Sequence, residues 1–132
     1  MRAGVAALIL SLALPAHLSA QARQLTPMTQ SYSQKDLLKN WTFSACLAMN
    51  AKDAATKADA NATASAYMEF GRQPIEAYDE LKKLAEKYAS LSYSGSIPSE
   101  FNTMKCIDLF HSGELDRLVA KLTKPDRPLK RR

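Results

Sequence analysis

The groups that could support covalent or metal chemistry are few. The 132-residue chain has two histidines, His17 and His111, two cysteines, Cys46 and Cys106, and 13 acidic residues. A zinc site usually takes three or four His, Cys or carboxylate ligands, and with both thiols expected to pair too few soft ligands are left, so neither a metal nor a cofactor is expected. A Ser-His-Asp or Cys-His mechanism would have to run through His111, because His17 lies in a stretch that reads as a cleaved leader. His111 stands near the end of an expected helix, where imidazole commonly caps carbonyls or meets water. No Gly-rich phosphate loop is present, and the visible carboxylates sit on charged faces beside lysines rather than as an isolated acid pair. No catalytic residue is assigned, and a binding protein is expected rather than an enzyme.

What remains is a candidate binding element, the loop Ser92-Tyr93-Ser94-Gly95-Ser96-Ile97-Pro98-Ser99. A polar, Gly-containing segment between two firm helices is a common recognition loop, since rigid ends position it and Gly95 allows close backbone approach to a partner. It is equally a common plain connector. If it binds, an arginine at position 95 is expected to clash with the partner while leaving the helices intact.

The elements that hold this loop begin after a leader. The first 22 residues contain one charge, Arg2, then the apolar run Val5 to Leu14, then Pro15 and Ala20-Gln21-Ala22. This is the anatomy of a signal peptide cut after Ala22. An apolar run of about 10 residues is half the roughly 20 needed to cross a bilayer as a helix, so no membrane insertion is expected. The exported chain from Arg23 would bury roughly 65% of its unfolded surface, a modest core for which a covalent brace helps. Cys46 and Cys106 supply one if paired, as an even count in an exported chain favours, the other reading being two buried free thiols. Closing the 60-residue span between Cys46 and Cys106 is worth on the order of 4 kcal/mol in the chain-entropy model, comparable with a small domain's net stability.

Residues 23–32 read as a loose lead. Ser33 then caps a helix, with Asp36 three residues on, and Leu37, Leu38, Trp41, Ala45, Ala48 and Met49 share one side while Phe43 and Leu47 lie on the other. Apolar groups on two faces suit a central helix or one with a face in a subunit interface. An Ala-rich helix spans Asp53 to Phe70, with Gly71 as its stop and Pro74 in the first turn of the next. From Pro74 to Leu91, Ile75, Tyr78, Leu81, Leu84, Tyr88 and Leu91 oppose Glu76, Asp79, Glu80, Lys83, Glu86 and Lys87, and pairs Asp79–Lys83 and Lys82–Glu86 fit a solvated face. After the loop a helix runs to about His111 with Phe101, Met104, Cys106, Ile107 and Phe110 inward, and Leu115, Leu118, Val119 and Leu122 mark a last short helix. No alternating run of β-branched residues occurs. The expected fold is all-α, about five helices in one domain over residues 33–123, braced by one disulfide.

The net charge of +5 resides in the ends: residues 124–132 carry five basic residues and one acid, Arg2 belongs to the leader, and the body between is balanced. The tail has no aromatic to stack a base, so it reads as a disordered solubilising segment and nucleic acid is not an expected partner.

Pro74-Ile75-Glu76-Ala77-Tyr78, Tyr93 to Pro98, and the block Phe101-Asn102-Thr103-Met104-Lys105-Cys106-Ile107-Asp108-Leu109-Phe110-His111-Ser112, with Asn40-Trp41 and Cys46 upstream, resemble the periplasmic immunity proteins of type VI secretion amidase effectors, the fourth amidase family. The resemblance covers most of Leu37 to Leu122 and leaves out the lead and tail. It implies a non-enzymatic, periplasmic inhibitor, homodimeric in the family and able to form a heterotetramer with its effector. The implied partner is a cognate papain-like amidase that cuts peptidoglycan peptide stems. It also implies that a protruding loop, matched here by Tyr93, Ser94, Gly95, Ser96, Ile97 and Pro98, enters the amidase groove and covers its Cys-His nucleophile. A different class, a periplasmic small-ligand carrier of helical type, would need an apolar cavity.

Overall fold

The central element is a helix made by a Ser cap and a two-sided apolar pattern. In the computed structural model, which describes residues 28–124, α1 (Gln34–Asn50) starts where the Asp36 N–H donates to Ser33 Oγ at 3.2 Å, while Ser33 Oγ–H donates to the Asp36 carboxylate at 2.6 Å. Leu37, Leu38, Trp41, Ala45, Cys46 and Ala48 are buried along it, and α1 packs against all four later helices: α2 (Ala54–Glu69), α3 (Ile75–Ala89), α4 (Asn102–Phe110) and α5 (Gly113–Leu122). Thr42 and Ser44 are buried on this helix with their hydroxyls donating back to the carbonyls of Leu38 (2.7 Å) and Asn40 (2.9 Å), so neither is left unpaired. The expected leader and cut site, residues 23–27 of the lead, and the tail beyond Lys124 lie outside the described residues. Residues Met28–Ser31 form a 3-10 turn, and Tyr32 reaches the Tyr67 ring at 6.2 Å, so this part of the lead packs on α2.

Alanine explains how α2 lies so close to α1: Ala60 and Ala64 are its buried residues, and Asp53 caps it by accepting from the Thr56 N–H at 2.8 Å. Pro74 is the N-cap of α3, one position ahead of the first turn. Gly71 follows the α2 cap without a positive φ, and its size has another cause: a Cβ there would lie 2.0 Å from the Tyr78 phenol oxygen. Tyr78 is buried edge-on to Trp41 at 5.1 Å, and Leu81, Leu84 and Ala85 complete the buried face of α3.

Cys46 and Cys106 form the disulfide between α1 and α4, both fully buried, with Cα atoms 5.6 Å apart. The Asn50 side-chain amide donates to Cys46 O at 3.3 Å and lies 3.4 Å from Cys106 Sγ, giving the bridge a polar neighbour. The described residues form five α-helices and no strand, as the sequence pattern expects.

Two details of the expected core are corrected. On α4 the buried side chains are Lys105, Cys106 and Leu109, whereas Met104 (48%) and Ile107 (44%) are exposed. Among residues placed on apolar sides by periodicity, Ile75 is exposed at the start of α3, Leu91 lies exposed just past its end, and Met49 is exposed near the end of α1. The charged face of α3 is also less independent than i,i+4 pairing implies. Lys82 meets Glu86 at 3.7 Å, but Lys87 pairs with Glu114 at 2.7 Å and Glu80 with Lys121 at 2.8 Å, tying α3 to α5.

Candidate functional site

The chain leaves α3 at Ser90 and enters α4 at Asn102, and the residues between have no regular structure. Ser94 to Glu100 are all exposed, Ile97 most prominently at 72%, while Tyr93 and Phe101 at the two ends are half-buried. The six expected site residues, Tyr93, Ser94, Gly95, Ser96, Ile97 and Pro98, therefore stand together on one largely exposed segment, but in two roles. Tyr93 is a tether: its hydroxyl donates to Asp108 Oδ2 on α4 at 2.7 Å, and this bond, with the nearby carboxylate charge, holds the phenol above its ordinary pKa. Ser94, Ser96, Ile97 and Pro98 form the accessible tip.

Gly95 requires a correction to the reason for its size. It has no positive φ, and a Cβ built on it would meet the Phe101 ring at 2.7 Å. The close approach its size permits in the free protein is to its own chain. An arginine at 95 would first collide with Phe101, so that substitution reports on loop shape as well as on binding.

Phe101 itself has φ 52 and ψ 36, the left-handed region that disfavours side chains with a Cβ, and is the lone non-Gly residue with positive φ among the described residues. Its N–H donates to Ser99 Oγ at 3.2 Å. Glu100 next to it pairs with Lys52 at the α1–α2 junction and accepts from Asn102 Nδ2 at 2.9 Å, and Lys52 then Asn102 hold its carboxyl below the ordinary range. Lys105 continues the chain of contacts, donating to Asn102 Oδ1 at 3.0 Å, which gives this buried lysine a partner. Phe101, Glu100, Asp108 and Lys52 were not singled out from sequence as loop supports, and no spacing rule links residues that meet only through the fold.

The other described residues offer little reactive chemistry. His111 is an exposed C-cap of α4, with its ring edge-on to Phe110 at 5.4 Å. The adjacent Ser112 hydroxyl is committed to capping, donating to Leu109 O at 2.8 Å and accepting from the Leu115 N–H at 3.1 Å, so the two do not form a nucleophile–base pair. Among the described residues no group of three or more His, Cys, Asp or Glu side chains is placed to hold a metal ion, and no helix is long and apolar enough to cross a membrane. Concavities of about 550 Å³ between α1 and α2, lined by Phe43, Leu47 and Tyr67, and about 620 Å³ beside the loop, lined by Phe101, Met104 and Ile107, are open surface grooves rather than an enclosed ligand chamber.

Known proteins resemble this arrangement closely. The family model for type VI secretion system (T6SS) amidase immunity proteins, Tai4, matches residues 36–119. Among solved structures, a chain of the Tae4/Tai4 effector–immunity system from Salmonella typhimurium is 50% identical over 76% of this chain and 100% of its own, with a TM-score of 0.73. A chain from a study of type VI-secreted toxins and self-resistance proteins in Serratia marcescens is 30% identical over 83% and 93%, with a TM-score of 0.70. At 24% identity, a chain of the Tae4–Tai4 complex from Enterobacter cloacae shares the fold over 74% and 99%, with a TM-score of 0.65. No curated protein matches. The family model spans α1 to most of α5 and half the residues match over a complete relative, so this chain belongs to the Tai4 family of type VI secretion amidase immunity proteins.

Proposed function

We propose that this chain is a non-enzymatic periplasmic inhibitor whose Tyr93–Pro98 loop enters the active-site groove of a cognate, papain-like peptidoglycan amidase and covers its Cys-His nucleophile. The observation that carries the reading is the contrast within the loop: exposed Ser94, Ser96, Ile97 and Pro98 on a segment tethered through Tyr93–Asp108, Gly95–Phe101 and Glu100–Lys52. A groove that admits a peptide admits a narrow segment of serine and glycine, and Ile97 with Pro98 adds an apolar knob. Because the stem is held before binding, less conformational entropy is lost on complex formation, which favours tight and slowly dissociating inhibition.

The effector–immunity structures of the relatives support an amidase as partner, and the sequence of residues 1–22, which reads as a secretory leader, supports the periplasm. An ordinary stable interface takes roughly 800 Å² and about 20–30 residues per partner, so six loop residues would be joined by neighbouring surface. A homodimer, forming a heterotetramer with two effectors, would supply such surface from a second copy.

Co-expression with the amidase encoded in the adjacent gene tests the reading. The two proteins are expected to co-purify, hydrolysis of peptidoglycan peptide to stop at stoichiometric immunity protein, and light scattering of the free protein to give the dimer mass. An uninhibited amidase would overturn the proposal.

A further inference from the structure

The loop could be held by its backbone bonds alone, but its geometry gives the central part to one side chain. Phe101 adopts φ 52 although it is neither Gly nor Asn, and its ring occupies the position a Cβ on residue 95 would need, with Cζ, Cε2 and Cε1 at 2.7, 3.2 and 3.5 Å from that point. Residues this large leave the left-handed region unless their surroundings hold them there. Here the surroundings are visible: the preceding Glu100 is pinned by Lys52 and Asn102, the Phe101 N–H is bonded to Ser99, and α4 follows directly with Cys106 locked to α1. The left-handed turn folds the ring back under Gly95, while Ile97 between them stays exposed. We infer that Phe101 is a positioning residue for inhibition, its ring a brace that closes the loop between Gly95 and the start of α4 and presents Ser96-Ile97-Pro98 in binding-competent form.

This inference rests on the loop-insertion reading and makes a different prediction from it. A brace sets the fraction of molecules whose loop is ready to bind; removing it lowers apparent affinity by that fraction. If loop motion is fast, the loss falls on the association rate and the dissociation rate hardly changes. A residue acting by direct contact would instead speed dissociation. Phe101→Ala is therefore expected to slow association with the amidase by at least about tenfold at nearly constant dissociation rate. Phe101→Tyr, which keeps the ring, should bind like the parent. Gly95→Ala pushes the ring away and should slow association similarly, but should add nothing once Phe101 is already alanine, because the two changes remove one contact.

The experiment is surface-immobilised amidase binding to full-length mature variants, with Ile97→Asp as the reference. Slower association for Phe101→Ala and Gly95→Ala, non-additive in the double variant and restored in Phe101→Tyr, supports the brace. Unchanged association in Phe101→Ala, or simple additivity with Gly95→Ala, overturns it. If Ile97→Asp binds normally, the loop-insertion reading fails instead; if Ile97→Asp fails to bind while Phe101→Ala associates normally, only the brace is lost. Should Phe101→Ala not fold, Gly95→Ala alone decides by the same rate measurement.

Discussion

The two ends of α4 illustrate different ways of holding a chain. Through Cys106 and Leu109 the inner face of the helix is fully buried, joined to α1 by the disulfide and clustered with Leu38, Leu81 and Leu115, so many contacts share the task. Up to seven residues earlier, Ser99 to Phe101 are held by a few specific contacts: one ion pair, one hydroxyl, one side-chain amide, and one ring against a glycine. The first region sets stability through buried area; the second sets the shape of an exposed surface while burying little. Damage to one should therefore appear in unfolding and damage to the other in binding, and the account stands on that separation.

The largest expected effect breaks the buried side. Replacing Cys46 and Cys106 together with alanine should cost about 2–5 kcal/mol, read as a lower denaturation midpoint. Leu81→Ala, at a fully buried position, should cost about 2–5 kcal/mol as well, while each molecule still folded inhibits within about twofold of the parent. A large loss of inhibition in folded Leu81→Ala protein would dissolve the separation.

Much of the buried side was legible in the sequence. The Ser33 cap, the wide apolar stripe of α3 and the pairing of an even number of cysteines each rest on local or compositional rules, and the helices and the disulfide that follow from them are present. The register of α4 was not legible. Phe101, Met104 and Ile107 fall at i, i+3, i+6, an apolar row as regular as the one containing Cys106 and Leu109, and over nine residues periodicity cannot choose between two rows. The disulfide does choose, turning Cys106 inward and leaving Met104 and Ile107 exposed beside the loop. The loop's six candidate residues could be read from composition and resemblance, but its supports could not. Lys52 and Glu100 are far apart in sequence, and the small size required of Gly95 is set by a ring six residues on.

A smaller effect sharpens the exposed side. Tyr93→Phe removes the bond to Asp108 but keeps the ring, so inhibition should weaken by about threefold to tenfold with an unchanged thermal midpoint, measured by titrating amidase hydrolysis and by thermal denaturation.

The smallest effect concerns pH. Lys87 holds the Glu114 carboxyl, and Lys39 the Asp116 carboxyl, below their ordinary ranges in the folded protein. Groups whose folded pKa is depressed contribute fully above the unfolded value and lose that contribution as pH falls through the folded one. The thermal midpoint should therefore be flat near neutrality and decline once pH drops below the ordinary carboxylate range. In Lys87→Ala the decline should be shallower, because Glu114 has lost its partner; an identical decline would mean that the pair between α3 and α5 contributes nothing.

The central claim is that the loop tip, not the helical body, blocks the amidase. The most direct measurement is the inhibition constant of Ile97→Asp against the cognate amidase, with its thermal midpoint measured alongside. Ile97 is 72% exposed and outside the buried core, so the account predicts inhibition at least about 100-fold weaker and a midpoint within about 2 °C of the parent. An unchanged inhibition constant in this folded variant would contradict it.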